Sequence, residues 1–178
     1  MPNPSILTTA ALSPHADTWS EVRANGQVMR YRRSGVGRPV IVLRPDDPGD
    51  APWSALLDSL CASHRLLIPE LPAAGADVTS WLAAFLDGLG VSDVAVVAAG
   101  PFCLPALELA LLGVDRVARL ALLSDGPPGG ENAGLDATLV TTACPPRVPL
   151  LVVRHDPAAQ DASLLHRFLA GAPPAATA

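Results

Sequence analysis

The residues best equipped for chemistry follow apolar runs. Arg154, His155 and Asp156 stand directly after residues 150–153, LLVV. An imidazole oriented by Asp156 or by Asp125 has the make-up of a general base. Arg44, Asp46, Glu70, Ser124 and Asp125 follow other apolar runs in the same way. If those runs are parallel strands, these side chains gather at one end of a sheet. There they form either a polar pocket for a small molecule or a solvated rim whose charges pair with each other. Cys103 is a thiol that His155 could activate as a base; otherwise a free cysteine is a small buried hydrophobe. Ser124 reads as a strand-end cap. His15, His64 (closing a helix) and His166 (on the last helix) read as surface residues. No Cys/His spacing matches a metal site, and neither a metal nor a cofactor is expected.

The elements that must position these groups are organised around residues 93–110, DVAVVAAGPFCLPALELA. The apolar, β-branched run Val94, Val96, Val97 leads into small residues and then a helical pattern. That is strand, sharp turn, helix, the place where an α/β enzyme often carries its nucleophile. The turn reads Ala98-Ala99-Gly100-Pro101-Phe102 and holds nothing that can attack a substrate. Proline is comfortable at the first helical position, so the helix is expected to begin near Pro105, with residues 100–104 as a loop.

Composition narrows the function classes. Hydrophobic residues make up 49% of the chain, enough for one well-filled domain over residues 18–171. Residues 1–17 and 172–178 lack periodicity and read as flexible tails. A net charge of −5 argues against nucleic acid. All basic residues are arginine, which removes Schiff-base chemistry and a phosphate-loop lysine. Three scattered cysteines suggest a reducing compartment, and a cytoplasmic location is expected. No signal peptide or bilayer-spanning run is legible, so no membrane partner is expected.

In order, residues 19–24 and 27–32 flank Asn25-Gly26, a strong hairpin signal because both turn residues need positive φ. Residues 39–43, PVIVL, form a fully apolar strand, as expected in a sheet covered on both faces. Helical spacing covers residues 53–63 and 78–88, the latter with Trp81, Leu82, Phe85 and Leu86 on its buried side. Further strands are expected at 65–68, 117–123 and 150–153, and a last helix at 162–169. Strands alternating with helices predict a doubly wound, mostly parallel α/β sheet.

From about residue 19 to 171 the chain resembles the α/β-hydrolase superfamily. The residues that carry this are the Asn25-Gly26 hairpin, "GRPVIVL" with its loop to Trp53, "HRLLIPELPAAG" with Glu70 in the acidic place, and "DVAVVAAGPFCLPALELALLGVDRVARLALL". The resemblance implies a minimal form of that fold with six to seven strands. A substantial cap is not expected, because residues 124–149 leave room for one short helix over 135–142.

The resemblance also locates what is missing. The nucleophile position of G-x-S-x-G falls on Gly100, and its glycines fall on Ala98 and Phe102. A phenyl ring at the second glycine is expected to push strand and helix apart. One oxyanion donor is the N–H after the nucleophile, here Pro101, which has none. The other comes from a loop that here reads Arg44-Pro45-Asp46. Losing one such donor typically costs about 10²–10³ in rate. The strand and histidine that should follow 150–153 and its helix are not found, and Asp156 alone stands in the family's acid position.

The expected function is therefore a small-molecule-binding or dimeric interaction protein that has lost Ser-His-Asp chemistry. The candidate pocket is Arg44, Asp46, Glu70, Phe102, Asp125, Arg154, His155 and Asp156, for a small apolar or acyl-like ligand. The alternative is a hydrolase or lyase with a rebuilt site using His155 and Asp156, with Cys103 as the alternative nucleophile. Residues 149–153 would form a bare sheet edge, where two copies could pair.

Overall fold

The computed structural model describes residues 18–45, 51–72, 76–112, 116–124, 148–154 and 161–171. Asp46, Asp125, His155, Asp156, both expected tails and the segment 135–142 lie outside them. One seven-stranded sheet organises the described chain. Its strands are β1 (Thr18–Ala24), β2 (Gln27–Ser34), β3 (Arg38–Leu43), β4 (His64–Pro69), β5 (Val94–Ala99), β6 (Val117–Ser124) and β7 (Leu150–Arg154). The order across the sheet is β1-β2-β4-β3-β5-β6-β7. The β1–β2 and β2–β4 pairs are antiparallel, and the remaining pairs are parallel. At the β1–β2 turn Asn25 takes φ 50° and Gly26 φ 75°, the two positive angles that such a turn requires.

Alternation along the apolar strands builds two cores. Ile41, Leu43, Leu67, Val96, Ala98, Leu120 and Leu122 face α2 (Val78–Leu89) and α3 (Cys103–Leu111). Val40, Val42, Leu66, Ile68, Val97 and Leu123 face α1 (Ala51–Cys61) and the last helix, α4 (Asp161–Leu169). Both faces are thus covered, which is why the central strands tolerate no polar residue. All six residues of β5 are buried. On α2, Leu82, Ala84, Phe85 and Leu86 are buried, while Trp81 is partly exposed. Asp77 caps that helix by accepting from the Ser80 N–H at 3.0 Å, and Gly90 closes it with φ 61°.

Two helices start earlier than expected, for one reason. The helix α1 begins at Ala51, so Pro52 lies in its first turn. After a short 3₁₀ turn over Gly100–Phe102, α3 begins at Cys103, which puts Pro105 at its third position. The first four N–H groups of a helix have no internal partner, so a proline there loses nothing. Nor does Phe102 wedge strand and helix apart. It lies partly exposed at the margin of the core, while Cys103, Ala106 and Leu107 fill the interface.

Candidate functional site

The register brings the expected positions to one end of the sheet. Leu43 pairs with Ala98, Ala99 with Leu123, and Ser124 with Arg154. The backbones of Arg44, Pro45, Gly100, Ser124 and Arg154 therefore emerge side by side beyond the strand ends, where ligands of such sheets bind. Pro45 and Gly100 adjoin directly: a Cβ built on Gly100 would stand 3.8 Å from Pro45 Cγ.

Gly100 has φ +54°. A nucleophile elbow is a sharp, strained turn of this kind. At Gly100 the positive φ stands without a side chain, and glycine holds it with little strain. Pro101 follows, exposed and with no N–H to offer an oxyanion.

The other candidates divide. Cys103 is 0% exposed, and its thiol donates to the Ala98 and Leu123 carbonyls at 3.3 and 3.4 Å. Glu70 is drawn toward β2: its carboxylate lies 3.5 Å from Arg30 Nη1, and its N–H donates to the Arg30 carbonyl at 2.9 Å. Arg44 is partly buried and faces the α1 side of the sheet, its guanidinium 6.0 Å from the Trp53 ring centre. That direction was written in the alternation Val40, Val42, Arg44.

Two features were not read from the sequence. The first is a cavity of about 310 Å³ between the hairpin and α2. Met29, Trp81 and Ala84 give it apolar wall; Asn25, Gln27 and Ser80 give it polar rim. Because Tyr31 pairs with Pro69 in antiparallel sense, this start of β2 lies at the same sheet end as the elbow. Its volume is at the lower limit of small-molecule sites, about 300–1,000 Å³.

The second is a histidine pair. His64 opens β4 instead of closing a helix, and it is 7% exposed. Its Nδ1 is 2.9 Å from Ser63 Oγ, and its ring centre is 6.0 Å from that of His166. His166 Nε2 is in turn 2.8 Å from Ser59 Oγ. Burial, then the charges of His166 and Arg38, hold His64 below its ordinary value of 6.5, against a backbone hydrogen bond at Leu60 that raises it. His64 therefore stays neutral in the folded chain where the unfolded chain takes up a proton. Stability is full above about pH 6.5 and falls as pH drops through that value. Melting temperature measured from pH 7.5 to 5.5 should fall more steeply for the natural chain than for His64→Gln; equal slopes would refute this role.

Among the described residues no group of three or more His, Cys, Asp or Glu could hold a metal ion. No described helix is long and apolar enough to cross a membrane.

No family model and no curated protein matches the sequence. Solved structures do match the fold. An epoxide hydrolase from Vigna radiata is 21% identical, with a TM-score of 0.52 over 63% of this chain and 42% of its own. Epoxide hydrolase A from Mycobacterium thermoresistibile is 24% identical, with a TM-score of 0.50 over 70% of this chain and 45% of its own. A putative α/β hydrolase from Nostoc is 17% identical, with a TM-score of 0.51 over 70% and 51%. The match thus spans about half or less of these neighbours' length. At such identities the likeness is one of fold, and with the strand order it makes this an α/β-hydrolase-like fold.

Proposed function

We propose that this α/β-hydrolase-like fold serves binding and not ester hydrolysis. The observation that supports it is the elbow: Gly100 has no nucleophile, and Pro101 behind it has no oxyanion donor. The ligand is small and apolar or acyl-like, and the cavity beside Trp81 and Met29 suits it in size and lining.

Putting the missing side chain back tests the reading. Gly100→Ser has room, since among the described residues only Pro45 Cγ comes within 4 Å of the new Cβ. Its cost is the positive φ, about 1–2 kcal/mol. The variant is expected to fold, melt a few degrees lower and leave p-nitrophenyl acetate turnover at the buffer rate. Serine-dependent turnover in Gly100→Ser would overturn the proposal, because it would mean that a base and an oxyanion site were waiting for the nucleophile.

Homodimerisation belongs to the same proposal. Among the described residues β7 has one strand neighbour, β6, and Leu151, Val152 and Val153 are only partly buried. An apolar edge of this kind favours pairing with a second copy. Sedimentation at micromolar concentration should give twice the chain mass, and Val152→Pro should give a monomer. A monomer in the unmodified chain removes this part of the proposal and leaves the elbow argument intact.

A further inference from the structure

A second cavity, of about 170 Å³, lies on the α1 side of the sheet, where β2 and β4 run out beyond the helix. Its polar lining is Arg32, Ser34, Arg44, Ser54 and Asp58, over an apolar floor that includes Leu66 and Ile68. The volume is well above the 10–15 Å³ or so that one water needs.

Arg44 is the telling residue. Its Nε is buried and, among the described residues, has no hydrogen-bond partner. Buried donors are nearly always satisfied, so a buried Nε without a partner calls for an acceptor. The Trp53 ring at 6.0 Å helps to fix the guanidinium but satisfies no N–H. A guanidinium is a rigid fork of donors that matches two oxygens of a carboxylate or a phosphate. Arg32 adds a second guanidinium to the wall, and Ser34 and Ser54 add hydroxyls. Asp58 on the same wall opposes highly charged anions and limits the occupant to a small one.

We infer that this cavity is a binding site for a small oxyanion, a carboxylate or a phosphate, with Arg44 as its anchoring donor. The site does not depend on whether the turn at Gly100 is inert.

Sodium butyrate and inorganic phosphate are the two probes, with sodium chloride at matched ionic strength as the reference. One of them should raise the melting temperature by several degrees over the reference, and which one does so identifies the oxyanion class. Arg44→Gln should abolish the rise, and Arg23→Gln, an exposed arginine of β1, should keep it. Arg44→Lys keeps the charge and loses the fork; calorimetric titration should show at least tenfold weaker binding, which decides the matter if Arg44→Gln does not fold. No rise with either probe, or an undiminished rise in Arg44→Gln, overturns the inference.

Discussion

Phe85→Ala is expected to destabilise the fold by roughly 3–5 kcal/mol. Phe85 is 0% exposed in the core that holds α2 against the sheet. Its ring stacks on Trp81 at 5.4 Å between centres and meets the Tyr31 ring edge-on at 5.6 Å. Removing it leaves a void beneath both rings and frees Trp81, a wall of the cavity beside the hairpin. For a domain of this size each kcal/mol moves the melting temperature by roughly 2–4 °C, so thermal unfolding should shift by about 10 °C. A loss below about 1 kcal/mol would mean that α2 does not depend on this packing.

Gly35→Ala should be nearly as damaging, and a paired control separates its two causes. Gly35 has φ +75°, and an added Cβ would lie 2.3 Å from the His64 carbonyl oxygen and 2.7 Å from that of Cys61. Both are backbone atoms of the α1–β4 junction, which cannot swing aside as a side chain does. Gly26 also has φ +75°, but no atom of the described residues lies within 4 Å of its Cβ position. Gly26→Ala therefore carries only the conformational cost, about 1–2 kcal/mol. Gly35→Ala adds overpacking of about 1–3 kcal/mol. Chemical denaturation should rank the two clearly; equal losses would show that the junction yields.

The same junction explains what the sequence hid. Local signals were legible: the Asn25-Gly26 turn, the continuously apolar PVIVL and VAVV strands, and the 3.6-residue spacing of Leu82, Phe85 and Leu86. Helix starts slipped where a proline occupies a first turn, because Pro52 and Pro105 look like breakers and are tolerated there. His64 looked like the end of a helix. Its place at the head of β4 comes from pairing with Arg38 of β3, and its approach to His166 joins residues about a hundred positions apart. That Gly100 has no side chain and Pro101 no N–H was plain in the sequence. The positive φ at Gly100 was not. Arg44 was legible as a residue at a strand end, and the direction of its side chain followed from the strand's alternation. That its Nε has no partner among the described residues is a property of the packed neighbours alone.

The proposed binding role requires that no residue act as a serine-hydrolase nucleophile. Intact-mass spectrometry after exposure to a fluorophosphonate ester tests it most directly. The account predicts an unmodified mass, with Cys103 shielded in the core and Gly100 offering no oxygen. A stoichiometric adduct that peptide mapping places on one serine or cysteine would contradict it.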